Sequence, residues 1–127
     1  MSVKYVLTER RNLLHPNEPR KLYAQAKGDG FVSLKKLSKE ISETSTVSDT
    51  DVLAVLNDLT KALSKYLSEG RIVRFGDFGT FQITIASDGA DSVEQFNSSL
   101  IKKSRIRFRP GIDLRVTLET VKYEKMK

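Results

Sequence analysis

An α+β architecture is predicted by three features of this sequence. Apolar residues recur at helical spacing from Val52 to Leu67. Alternating residues on either side of Gly76-Asp77-Phe78-Gly79 read as a hairpin. A further alternating run, Lys102-Lys103-Ser104-Arg105-Ile106-Arg107-Phe108-Arg109, holds five cations and no acid. Residues two apart on a strand share a face. Lys103, Arg105, Arg107 and Arg109 therefore line one side, and Ser104, Ile106 and Phe108 the other. Such a strand has a core behind it and a polyanion, or only water, in front. A basic run by itself is most often a solvated surface, so the other elements have to decide.

Taken in order, the chain begins with Val3, Tyr5 and Leu7 alternating with Lys4, Val6 and Thr8, a strand. Arg10 to Pro19 carries Asn12, His15-Pro16, Asn17 and Pro19 and reads as a loop. Arg20 to Lys27 is a second strand, closed by Gly28-Asp29-Gly30. Its alanines are poor strand formers. Ser33 can cap a short helix with Leu34, Leu37 and Ile41 on its inner face.

Ser48 opens the longest helix. Its hydroxyl can accept from the N3 amide, and Asp49 and Asp51 suit the positive end of the helix dipole. Val52, Val55, Leu56, Leu59, Leu63, Tyr66 and Leu67 form a stripe, widened by Leu53 and Ala62, that calls for packing on two sides. Gly70 stands where a C′ glycine belongs.

Arg71 to Phe75 and Thr80 to Ala86 are the two hairpin strands. Phe81, Ile83 and Ile85 share one face of the second, and Thr80, Gln82 and Thr84 the other. Ser87 to Ile101 is polar, with Asp88, Asp91 and Glu94 and no base. The basic strand follows and Pro110-Gly111 stops it. Ile112, Leu114, Leu118 and Val121 then recur at helical spacing, and Lys122 to Lys127 is expected to be a frayed or extended tail.

The 127 residues suggest one domain, long enough to bury a core without staples. No apolar run is long enough to span a membrane, and Met1 to Tyr5 lacks the pattern of a signal peptide. The absence of cysteine excludes disulfides and thiolate metal sites and fits a reducing cytosol. A formal net charge of +6 favours an acidic partner, most often nucleic acid. Catalysis is not expected. His15 is the single histidine, it sits beside Pro16 in a loop, and no nucleophile–base set can be assembled around it. The carboxylates show no metal-ligand spacing. Gly76-Asp77-Phe78-Gly79 lacks the Gly-Lys-Ser/Thr ending of a phosphate loop. No cofactor is expected.

The order is short helix, long helix, hairpin, arm, basic strand, short helix. Within it, Glu69-Gly70-Arg71-Ile72-Val73-Arg74-Phe75-Gly76-Asp77-Phe78-Gly79-Thr80-Phe81 resembles the central motif of the bacterial HU and IHF histone-like DNA-binding proteins. Phe108-Arg109-Pro110-Gly111-Ile112-Asp113-Leu114 resembles the segment where that family's sheet passes into its last helix. The similarity runs from about Phe31 to Leu118. The preceding residues, with Tyr5, Arg10-Arg11-Asn12 and Tyr23-Ala24-Gln25, look like the longer HU-related proteins of Bacteroides-type bacteria, the HU-HIG type.

The resemblance implies an HU/IHF-like fold: a helical body plus an antiparallel sheet with a β arm, preceded by an N-terminal β segment. It divides the chain into an extension over 1–31, an HU-like DNA-binding domain over 32–121 and a tail over 122–127. It implies a cytoplasmic, nucleoid-associated homodimer without a small-molecule substrate. Such a dimer holds double-stranded DNA on a β-sheet saddle and bends it through the minor groove. Saddle contacts then fall to Lys102, Lys103, Arg105, Arg107 and Arg109, helped by Arg74 and Arg115. Phe75, Phe78, Phe81, Phe108, Leu59 and Leu63 become core and dimer-interface residues.

Two departures qualify this. The family's arm tip carries an Arg-Asn-Pro wedge, and this chain has no proline between Gly79 and Pro110. Its arm is acidic instead. Ile112 also stands where the family often has a phosphate-contacting lysine. The competing class is a protein-interaction module that keeps the HU fold without the DNA clamp. RNA binding is a weaker third reading, since no RNP-type aromatic pattern is present.

Overall fold

The computed structural model describes residues 1–126, in two units: one formed by Met1–Ser33 and the chain from Leu118 onward, the other by Leu34–Thr117. Together they carry three helices and two three-stranded sheets, an α+β chain.

In the first unit, β1 (Val3–Arg10) and β2 (Lys21–Lys27) form an antiparallel hairpin, with Tyr5 opposite Ala26 and Leu7 opposite Ala24. Small alanines opposite larger partners leave a hollow of about 400 Å³, lined by Val3, Tyr5, Ala24, Ala26 and Tyr123. The strand partners thus override the low β propensity of alanine. The hairpin loop turns on Asn12, whose carbonyl accepts from the His15 amide at 3.2 Å and whose Oδ1 accepts from Leu14 N at 3.0 Å. The sheet's third strand is β6 (Tyr123–Lys125), which lies parallel to β1 with Val3 opposite Tyr123. Val3 N donates to Lys122 O at 2.7 Å, and Met126 N to Tyr5 O at 2.9 Å. As far as Met126, the tail expected to be frayed or extended is extended and hydrogen-bonded; Lys127 lies outside the described residues.

In the second unit, α1 (Leu34–Glu43) packs on α2 (Asp49–Ser68). Ser38 is fully buried and donates its hydroxyl to Leu34 O at 2.8 Å, which removes the cost of an unpaired group. Ser48 caps α2 as its sequence position predicts, accepting from Asp51 N at 3.2 Å. At the other end Gly70 N donates to Leu67 O and Arg71 N to Tyr66 O, the paired bonds of a Schellman stop.

The sheet of this unit has the order β3-β4-β5, where β3 is Val73–Arg74, β4 Gly79–Ser87 and β5 Ile101–Pro110. Only Val73 and Arg74 of the expected five-residue first strand join the ladder. The chain turns away at once, because Phe75 N bonds Gly79 O at 2.8 Å to close a tight turn. The residues between β4 and β5 end in a 3-10 turn over Ser98–Leu100, whose cap Asn97 accepts from Ser99 N at 2.9 Å. Then α3 (Ile112–Thr120) follows β5.

Two glycines make the corner between sheet and α3 possible. Gly79 has φ +151°, and a Cβ there would lie 2.6 Å from Arg109 O and from the Phe108 ring. A Cβ on Gly111 would overlap the Asp77 carbonyl. Gly111 N meanwhile donates to Phe78 O at 2.9 Å, and Asp113 N to Asp77 O at 3.3 Å. The 75–79 turn is thereby bolted to the start of α3.

Burial is sparse. Val52 and Leu67 are the buried hydrophobic residues among those described. Leu34, Leu37, Ile41, Val55, Leu59 and Tyr66 are all exposed. The chain exposes 11283 Å². Two separately compact bodies of these sizes would expose about 8,000 Å² together.

Candidate nucleic-acid interface

The register of β4 against β5 builds one cationic face. Thr80 lies opposite Arg109, Gln82 opposite Arg107, Thr84 opposite Arg105 and Ala86 opposite Lys103. On the far side of β4, Arg74 lies opposite Thr80. Each cation thus faces a small or polar neutral residue rather than another charge, which avoids the like-charge penalty of direct cross-strand pairs. Same-face neighbours along β5 stand about 6.8 Å apart, and Arg74 and Arg109 flank β4 about 10 Å apart. At the β3 end the surface dips into a hollow of about 270 Å³ lined by Ile72, Arg74, Thr80, Gln82, Arg107 and Arg109.

Among the described residues, Arg74, Lys103, Arg105, Arg107, Arg109 and Arg115 enter no ion pair. The ion pairs that form among the described residues, Arg20–Glu9, Arg71–Glu69 and Lys102–Asp88, use other cations.

Lys102 is separated from the row. The ladder skips a residue where Ala86 pairs with Lys103 and Ser87 with Ile101, so Lys102 is the unpaired residue of a β-bulge. Its ammonium lies 3.9 Å from Asp88 Oδ2 and donates to Ser99 O at 3.1 Å. Both groups belong to the acidic connection between the strands. Strict alternation from Arg109 backward already puts Lys102 on the Ser104 side, and the bulge then ties it down. Arg115 lies on α3 and does not line the hollow.

The opposite face is aromatic and aliphatic. Phe81 lies opposite Phe108, and Ile83 opposite Ile106. The Phe81 and Phe108 ring centroids are 4.7 Å apart, with Phe75 5.5 Å from Phe81 and Phe78 5.7 Å from Phe108. These spacings are those of favourable tilted and edge contacts. The four phenylalanines named from the sequence are therefore one cluster, yet Phe78 remains 49% and Phe108 38% exposed. Leu59 is 38% exposed and Leu63 half-buried.

Sequence reasoning did not assign Thr80, Gln82 and Thr84 to the site. Their signal was present: two antiparallel alternating strands with one apolar face each must place their polar faces together.

A ribbon that is cationic on one side and phenylalanine-rich on the other, set on a helix pair, defines a class of α+β modules with one basic sheet face. The chain belongs to the HU-HIG family, described as an HU domain fused to wHTH, Ig, or glycine-rich motif, whose model matches residues 1–125. Among solved structures it is similar to one from Bacteroides vulgatus ATCC 8482, described as a candidate bacterial DNA-binding protein, with a TM-score of 0.68 at 9% identity. The match covers 98% of this chain and 48% of that one, so this chain spans about half its length. No curated protein is significantly similar in sequence.

Proposed function

We propose that the chain is a non-enzymatic architectural DNA-binding protein. It acts as a homodimer and holds duplex DNA, with little sequence preference, on the saddle formed by β3, β4 and β5 in the manner of HU. The observation that carries this reading is the row Lys103, Arg105, Arg107 and Arg109, joined by Arg74, which shares one face and has no ion-pair partner among the described residues. Arginine suits it, because its planar fork grips a phosphate through two hydrogen bonds and keeps its charge. Contacts of this kind position a duplex without reading it, so DNA shape and deformability set the preference.

The unburied apolar surface supports the homodimer. A stripe on α2 and an aromatic sheet face left this open need a cover, and a second copy supplies the same surfaces. The proposed setting is the bacterial nucleoid. Among the described residues, no helix is long and apolar enough to cross a membrane.

The second reading, an HU-fold module for protein interaction, is favoured by the acidic connection between β4 and β5, where Asp88 already engages Lys102. Affinity for a generic duplex across a salt series separates the two. With five or six phosphates contacted, log K against log salt should fall with a slope of about −5. The double reversal Arg105→Glu, Arg107→Glu should abolish binding without loss of folded structure. A flat salt response, or reversal without effect, would favour the interaction module.

A further inference from the structure

The cationic face is not uniform, and its two ends suit different ligands. Toward the arm, Arg105 and Lys103 stand in a simple row opposite Thr84 and Ala86. At the β3 end, Arg74 approaches from one flank of β4 and Arg107 and Arg109 from the other, around a hollow floored by Thr80 and Gln82. The Thr80 hydroxyl and Gln82 amide add neutral donors between the charged forks. Three guanidinium groups sharing one hollow repel one another, and among the described residues no acid relieves them. A compact polyanion relieves that repulsion better than a single monovalent ion. Resting on the DNA-binding reading, we propose that this hollow is a discrete seat for an oligophosphate. The ligand class is two or three linked phosphate groups, as in inorganic triphosphate or the phosphate tail of a nucleotide. Such an anion fills the seat without duplex DNA and competes with the duplex for it.

The competition follows from shared residues. A duplex needs the whole row, whereas a compact anion needs only Arg74, Arg107, Arg109 and the two floor residues. An oligophosphate would therefore act as a soluble antagonist of DNA binding. The effect would exceed what its ionic strength alone produces.

The test is a calorimetric titration of the full chain with inorganic triphosphate at constant ionic strength. Displacement of a labelled duplex is followed in the same buffer. One saturable site per chain is expected. Arg109→Gln and Arg74→Gln should each weaken triphosphate binding tenfold or more. Lys103→Gln should leave it within twofold while weakening the duplex. Thermal melts matching the parent's serve as the folding control. No saturable triphosphate binding, or equal losses in the Lys103→Gln and Arg109→Gln variants, would overturn the seat. Duplex binding without triphosphate binding removes the seat and leaves the DNA reading standing. Triphosphate binding without duplex binding supports the seat and removes the DNA reading.

Discussion

Gly111 shows how much one hydrogen atom in place of a side chain decides here. It sits against the Asp77 carbonyl while its own amide bonds Phe78 O, so the turn bearing Phe78 has no room to retreat. Gly111→Ala should cost at least about 2 kcal/mol, because backbone rather than a flexible side chain must move. Denaturant unfolding of the variant checks this. A loss below about 0.5 kcal/mol would mean the corner can open. The residue-level roles were unevenly legible. Gly76 to Gly79 announced a turn, but the clash that makes Gly111 necessary arises from a residue 34 positions earlier and has no local signature. Lys102 is a similar case. Its charge counted toward a basic run although its parity set it apart from the row, and the bulge and the Asp88 contact show where the ammonium goes.

At the scale of elements, the β4–β5 ribbon separates two chemistries by strand parity. Gln82 and Arg107 share one side, Ile83 and Ile106 the other. A one-residue slip would exchange them, so the register is pinned by the apolar face as much as by the turn. This division was readable because both strands alternate cleanly. The helices were readable for a related reason: Ser48, the stripe from Val52 and Gly70 mark start, face and stop within one segment. The short length of β3 and the bulge near the arm were not readable, since each depends on the partner strand. The ribbon also makes a differential prediction. Arg105→Gln should lower duplex affinity about fivefold to tenfold at 0.1 M salt, as expected for one lost phosphate contact. Lys102→Gln should change it less than twofold. Equal losses would mean that Lys102 leaves Asp88 to meet the ligand.

For the whole molecule, exposed apolar surface is the dominant fact. The stripe of α2 was expected to pack on two sides, and within this chain Val55 stays 63% and Leu59 38% exposed. Sedimentation at micromolar concentration should give twice the 14.3 kDa chain mass. A monomeric result would leave these surfaces to a different partner and favour the interaction module. A second molecule-scale feature, the pairing of β6 with β1, was invisible in the sequence. Three residues of an ordinary tail carry no sign of a partner strand some 120 positions away.

That pairing dictates an order of events during synthesis. The first hairpin can close as soon as Lys27 has left the ribosome, but its third strand does not exist until synthesis has passed Lys125. Joining it brings together segments far apart in sequence for a ladder only three residues long. The seam should therefore zip last and open first. In hydrogen exchange, the amides of Val3 and Met126 should lose protection well before those in the middle of α2.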